Sequence, residues 1–328
     1  MKNKFAVKSA VAKVLFYSGI IKLFRKVLSS GNPIILMYHQ VNMPEFEQHM
    51  GYLKKNFNVI GLRELVERLK NKHGFERGTV VITFDDGYLN NYEHAYPILK
   101  KLVLPATIFV TTGLIGTKKL AWWDGIMCAI KKSGEDYYCF RFKNRIIHLD
   151  LSTEKSKIES VAVLHKVLSK YGFKEREEAM KKIYSELYDC TKEKDIGAYK
   201  FMSWKEAREL SDNGIEIGSH TVTHPFLTNI SANEMVRELK GSKKEIEKKI
   251  EKKVFSFCYP SGDFGEQAKL YVQGIGYGCA CSIVRGNVNR YSDIYSLERI
   301  GINIKDDLPI FALKTSGLWN FIMSRAGY

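Results

Sequence analysis

Four apolar runs in this chain each end in residues able to do chemistry, and that placement constrains the fold more than any other feature. Residues 33–38 lead into His39, residues 79–84 into Asp85-Asp86-Gly87, residues 215–218 into Ser219-His220, and residues 254–259 into Pro260-Ser261-Gly262. Runs of this kind, apolar without strict alternation, read as strands buried on both faces, as in a parallel sheet. Helical signals separate them. Ser203 with Glu206 and Ser231 with Glu234 are capping boxes, Gly214 punctuates the first of those helices, and residues 46–56 and 90–103 carry helix-period apolar positions. Strand alternating with helix is the mark of an α/β fold with a parallel sheet. In parallel barrels the carboxyl ends of the strands converge on one face, so these polar strand ends are expected to meet.

The 328 residues suffice for one large domain, and 45% hydrophobic with 27% charged residues is the composition of a folded globular protein. From about residue 120 to about residue 200 the alternation is interrupted. Trp122, Trp123 and Asp124 open that segment, a strand-like stretch follows over 137–149, and Lys- and Glu-rich helical patterns run over 155–188. It reads as a helical insertion on the catalytic face, where loop variation sets specificity. The six cysteines, at 128, 139, 190, 258, 279 and 281, show neither CxxC zinc spacing nor a dense disulfide framework. They read as small, buried, reduced side chains.

The formal net charge of +15 favours anionic partners. The lysines of residues 240–253 alternate with Glu245, Glu247 and Glu251, the pattern of a solvated helix face, and no nucleic-acid motif accompanies them. Nucleic acid is therefore not an expected partner. Residues 1–30 stand apart from the domain expected over 31–328. Wound at about 100° per residue, Lys4, Lys8, Lys22 and Lys26 share one sector, with Phe5, Phe16, Ile20, Leu23, Phe24 and Val27 opposite. The uncharged stretch 14–21 is shorter than the about 20 residues a membrane span needs, and no small-residue cleavage site follows it. A basic amphipathic helix on an anionic membrane surface is expected, at the cytoplasmic face or in the cell envelope, with docking onto the barrel as the alternative.

Asp85-Asp86-Gly87 sets two carboxylates side by side. They fit either a turn that caps the next helix or a division of labour between metal binding and proton transfer. His220 and His224 are four apart, but Thr-Val-Thr followed by Pro225 favours a loop over a helix. Two histidines and one carboxylate suit a divalent transition metal with an open coordination position. His39, at its own strand end, is the third candidate.

The stretches Thr83-Phe-Asp-Asp-Gly-Tyr88, Ser219-His-Thr-Val-Thr-His-Pro225, Tyr259-Pro-Ser-Gly262 and Ile35-Leu-Met-Tyr-His-Gln-Val41 resemble the polysaccharide deacetylase family, the NodB-homology fold. The resemblance spans residues 33–118 and 200–304. It implies a distorted (β/α) barrel that hydrolyses N-acetyl groups on N-acetylhexosamine units of a glycan. It implies Asp86, His220 and His224 as metal ligands, with zinc expected and Co2+ or Ni2+ as alternatives. Asp85 would be the general base, His39 the general acid and the Ser261 N–H an oxyanion donor. Tyr88, Tyr259 and Pro260, within the same motifs, are expected to face substrate.

One departure stands out. Many members carry an Arg before the Pro of the third motif, paired with the catalytic Asp, whereas here Cys258 occupies that place. Arg299, in Leu297-Glu-Arg-Ile300, is the expected replacement. Trp122, Trp123 and Asp124 could line a sugar groove, with core packing as the alternative for the tryptophans. Two other functions fit the same motifs: an O-acetyl esterase, and a silent, membrane-associated glycan-binding protein. The intact pair Asp85 and Asp86 argues against the second.

Overall fold

The computed structural model describes residues 2–27, 31–192 and 197–318; the side chains of residues 2–8 and 27 lie outside the description. Helices α1 (Lys2–Tyr17) and α2 (Ile20–Val27) lead into β1 (Ile34–Tyr38), α3 (Met43–Asn56), β2 (Asn58–Val59), α4 (Leu62–Lys70) and β3 (Thr79–Phe84). A π-helical turn, Asn91–Ala95, opens α5 (Tyr96–Leu102), and β4 (Thr107–Val110) follows. The insertion comprises α6 (Trp122–Lys132), β5 (Tyr137–Phe142), β6 (Arg145–Asp150), α7 (Glu154–Leu168) and α8 (Phe173–Glu186). The alternation then resumes with α9 (Trp204–Asp212), β7 (Glu216–Ser219), α10 (Ala232–Ile250), β8 (Ser256–Cys258), α11 (Glu266–Gly274), β9 (Cys279–Cys281), β10 (Ile300–Gly301) and α12 (Leu308–Thr315).

The large sheet is parallel, in the order β10-β1-β3-β4-β7-β8-β9, with β2 beside β3. A parallel bridge from Cys281 to Leu297 ties β9 to the segment running into β10, so the sheet curls towards closure. All six residues of β3 are buried, as expected for a β-branched strand covered on both faces. Both predicted capping boxes form, with Ser203 and Ser231 accepting from the N–H groups of Glu206 and Glu234. Register does the rest. Tyr38 pairs with Phe84 and Val110 with Ser219, so His39 and Asp85 emerge side by side, and His220 follows at the same level.

The insertion carries its own hydrophobic core, built around Phe140, Leu149, Leu164 and Ile183. Its strand-like stretch is an antiparallel hairpin, so the insertion is mixed rather than purely helical. It also corrects the cysteine reading. Cys128 and Cys190 form a disulfide across a separation of 62 residues, tying the first helix of the insertion to its last turn. A body this small buries little apolar surface, and a cross-link offsets that by restricting its unfolded chain. Cys258, Cys279 and Cys281 are free and buried, while Cys139 is half-buried.

The N-terminal segment is two helices, not one. Gly19 adopts φ +78°, a left-handed conformation that breaks the helix and shifts the angular register between the halves. The expected apolar face is accordingly split. Ala12 and Ile21 are buried against α12, with Phe16 and Phe24 beside them, whereas Ile20 and Leu23 are exposed with Val11, Val14 and Tyr17. The side chains of Lys4, Phe5, Lys8 and Val27 lie outside the described residues. No described helix is long and apolar enough to cross a membrane.

His49 of α3 links α12 to the end of β1. It is 3% exposed, stacks on Phe311, and uses its ring nitrogens on Tyr38 Oη (3.4 Å) and the Asp306 carbonyl (3.0 Å). Burial lowers its pKa to about 4, so between that value and about 6.5 the unfolded chain binds the proton more readily. The stability His49 contributes is present above about pH 6.5 and lost as pH falls towards 4, by up to about 3 kcal/mol. Urea unfolding at a series of pH values should show a shallower slope across this window for His49→Gln than for the wild type.

Candidate active site

The loops at the carboxyl ends of the strands are held in unusual backbone conformations. Asp86, Thr221, His224 and Ser261 have φ of 74°, 66°, 53° and 52°, a region that residues with a Cβ visit rarely. Gly87, at φ 84°, sits where a side chain would be strained, and a Cβ there would crowd Ile115 Cδ1 at 2.8 Å and Val110 Cγ1 at 3.0 Å. These turns reverse the chain at once after each strand and keep the functional side chains close together.

Asp86, His220 and His224 converge so that one ligand atom from each lies within 4.8 Å of the others. The Asp86 Oδ1 is 3.6 Å from His220 Nε2 and 3.7 Å from His224 Nε2, too far for hydrogen bonds. His220 Nδ1 lies 2.7 Å from the Cys258 carbonyl, which places a proton on Nδ1 and leaves the Nε2 lone pair facing Asp86. Burial lowers the pKa of both histidines, His220 to about 4. Burial also raises the Asp86 carboxyl well above the usual range, with Asp85 and Asp124 adding repulsion. Three buried lone-pair donors, one carboxylate and two imidazoles, converge here, and that set fits a divalent metal.

Asp85, beside this triad, has the opposite environment. Burial by itself would raise its pKa, but the Arg299 guanidinium outweighs it and holds the carboxyl well below the usual range. The contact is bidentate, Nη1 to Oδ1 at 2.8 Å and Nη2 to Oδ2 at 2.7 Å. Arg299 is 1% exposed and also donates to the Ser282 carbonyl (2.7 Å), Thr83 Oγ1 (3.1 Å) and Cys258 Sγ (3.0 Å). It enters from the segment between the Leu297 bridge and β10, the seam of the curled sheet. His39 lies open to solvent at the mouth, its carbonyl accepting from Asn91 Nδ2 at 2.7 Å. Partial desolvation by the walls of the mouth lowers its pKa, Asp85 opposes that shift, and Arg299 adds to it.

The expected substrate-facing residues divide. Trp123 is half-buried, with its ring 4.2 Å from that of His224, and its Nε1 donates to Tyr88 Oη (2.9 Å), which donates to Asp124 Oδ2 (2.8 Å). Trp122 is buried in the core of the insertion, stacked on His165. Tyr259 and Pro260 do not face substrate. Tyr259 is fully buried, stacks on Phe264 and donates to the Tyr295 carbonyl, and Pro260 is buried beside it. Position within a motif does not say which way a strand residue points, and here the pleat turns Tyr259 into the core.

Sequence reasoning passed over Glu238. From α10 it accepts the N–H groups of Val222 and Thr223 (both 2.8 Å) and the Thr223 hydroxyl (2.7 Å), clamping the loop that carries His224. In sequence it is one more acid on a charged helix, with nothing to mark it.

Comparison with known proteins agrees with this geometry. The polysaccharide deacetylase family matches residues 72–137 and 160–280, more than half of the chain. The chain belongs to the polysaccharide deacetylase family. It is a hydrolase of that family, acting on carbon–nitrogen bonds other than peptide bonds. YxkH of Bacillus subtilis, named as a polysaccharide deacetylase, is 24% identical over 278 residues, covering 82% of this chain and 71% of that protein. A poly-β-1,6-N-acetyl-D-glucosamine N-deacetylase of Staphylococcus aureus is 39% identical over 79 residues, which is 24% of this chain and 27% of that enzyme. Among solved structures, the deacetylase PplD of Streptococcus pyogenes, in complex with acetate, superposes with a TM-score of 0.58 at 20% identity, over 88% of this chain and 99% of that one. IcaB of Ammonifex degensii gives 0.57 at 17% identity, over 88% and 98%. These superpositions establish the deacetylase barrel.

Arg299→Met should leave the Asp85 charge buried without a partner, at about 3–5 kcal/mol of stability. Where the protein still folds, kcat should fall about tenfold or more. Urea unfolding and acetate-release kinetics read the two effects separately. An unchanged kcat would remove Arg299 from the site.

Proposed function

We propose that this protein hydrolyses N-acetyl groups on N-acetylhexosamine units of a polysaccharide or its lipid-linked precursor, using a divalent metal, zinc by preference. The observation that carries this reading is a buried carboxylate held ionised by Arg299, adjacent in the chain to a separate metal-type donor set. Asp86, His220 and His224 would hold the ion. A divalent ion bound there polarises the acetyl carbonyl and acidifies water.

The other roles fall to the chain's own groups. Asp85 accepts the proton of the attacking water, and Arg299 keeps it ionised while fixing both oxygens. The amide leaving group is poor and needs a proton, which His39 supplies from the mouth of the site. The Ser261 N–H donates to the developing oxyanion. Trp123, Tyr88 and Asp124 form a hydrogen-bonded wall beside His224 and offer a ring face and a carboxylate to the sugar. The staphylococcal relative's name makes β-1,6-linked N-acetylglucosamine the first polymer to try.

The Cys128–Cys190 disulfide favours an oxidising compartment, hence the cell envelope over the cytoplasm. The exposed Val11, Val14, Tyr17, Ile20 and Leu23, with Lys22 and Lys26 on the same helices, suit contact with an anionic membrane surface. Co-sedimentation with vesicles containing phosphatidylglycerol should be lost on deleting residues 1–30. Equal sedimentation of the two forms would make the segment purely structural.

Zinc-loaded protein should release acetate from N-acetylglucosamine oligomers. A chelator should abolish release and added zinc restore it, and Asp85→Asn should reduce kcat by about a hundredfold or more. Absence of release from N-acetylated oligomers, with release from O-acetylated ones, would replace the amidase reading by an esterase.

A further inference from the structure

The insertion meets the barrel beside the His224 loop, and a cavity of about 340 Å³ lies between them. Its lining includes the aromatic rings of Trp122, Trp123 and Phe173, and its charged members are two cations, Lys119 and Arg176, and one carboxylate, Glu177. Arg176, on α8, is the unusual member. It is only 2% exposed, yet no carboxylate among the described residues lies within ion-pair distance of it. Its Nη2 donates to the Thr223 carbonyl at 3.3 Å, its guanidinium stands 5.2 Å from the Trp122 ring, and its Nη1 is buried with no hydrogen-bond partner. Glu238 and Glu177 act on it only from a distance, and the oxygens of Glu238 are already engaged by the Val222–Thr223 loop. Burial lowers its pKa to about 10, so it remains charged at neutral pH.

A buried cation with no carboxylate in contact is costly, and the cost is relieved when a ligand supplies a direct partner. We propose that this cavity is a subsite for an acidic sugar, whose carboxylate pairs with Arg176 while its ring packs on the aromatic walls. The volume lies near the lower end of small-ligand sites, about 300–1,000 Å³, and suits one ring rather than a chain. Its position links it to the reaction, because Thr223 precedes His224 and Trp123 touches the His224 ring. The acidic unit would therefore neighbour the N-acetylhexosamine being hydrolysed. In that respect the inference rests on the proposed deacetylase function, although binding itself does not depend on it.

The test is calorimetric titration of the zinc-loaded full chain with an oligomer of alternating N-acetylglucosamine and glucuronic acid, and with its carboxyl-reduced neutral counterpart. The acidic oligomer should bind about tenfold or more tightly, with the advantage shrinking at high salt. In Arg176→Gln that preference should vanish while acetate release from neutral N-acetylglucosamine oligomers is retained, and Arg176→Lys should keep part of it. Equal wild-type affinity for the two oligomers overturns the proposal, whether or not the variants fold. Equal losses on both oligomers in Arg176→Gln also overturn it, since a purely structural arginine would give that result. A preference for the acid without acetate release from any oligomer would leave the subsite standing and remove the deacetylase function instead.

Discussion

The ion pair between Arg299 and Asp85 is the interaction on which the rest of the site depends. Both groups are nearly inaccessible, and a carboxylate placed so deep would otherwise hold its proton and could not act as a base. Arg299 reverses that outcome only because the barrel seam delivers it. The bridge from Cys281 to Leu297 and the pairing of Ile300 with Leu36 fix the backbone on either side of it. The Ser282 carbonyl and Thr83 hydroxyl then orient the guanidinium. Closure of the sheet and ionisation of Asp85 are thus one structural event. Cys258 fits the same account: its small thiol lies 3.0 Å from Arg299 Nη2, in space that a larger side chain at that position would contest.

Asp85 and Asp86 are neighbours in sequence with opposite electrostatics. Asp85 faces a guanidinium; Asp86 faces two neutral imidazoles and two other carboxyls, Asp85 and Asp124. The left-handed turn at Asp86 and Gly87 sends the two side chains to different partners. One carboxylate is paired with a guanidinium, and the other is grouped with two imidazoles in a metal-type donor set. A single turn, together with the arginine delivered by the seam, therefore produces two neighbouring carboxylates of opposite character, the pair on which the proposed mechanism draws.

Much of this was legible because parallel strands buried on both faces advertise themselves. The runs ending at His39 and Asp85 correspond to β1 and β3 almost residue for residue, and their in-register pairing brings the two ends together. What sequence could not supply were facts about direction and distance. Tyr259 and Trp123 both occupy suggestive positions, yet one is turned into the core and the other onto His224. The Cys128–Cys190 disulfide joins residues whose spacing matches no recognisable pattern. Short strands such as β2 and β10, of two residues each, carry no periodicity to detect. In the N-terminal segment one glycine, at position 19, resets the angular register, so Phe16 and Phe24 pack against α12, the docking alternative, while Ile20 and Leu23 of the same expected face are exposed.

Glu238 and Arg176 share a further kind of illegibility. Each is an ordinary charged residue on a charged helix, and each acquires meaning only through the loop containing Val222, Thr223 and His224. Glu238 holds that loop from the barrel side through its N–H groups, and Arg176 touches its carbonyl from the insertion side. The loop is therefore contacted from both sides, by a helix of the barrel and by a helix of the insertion. The Thr223 peptide group thus lies between an arginine that lines the insertion cavity and the backbone of His224, while the N–H groups of the same loop are fixed separately by Glu238.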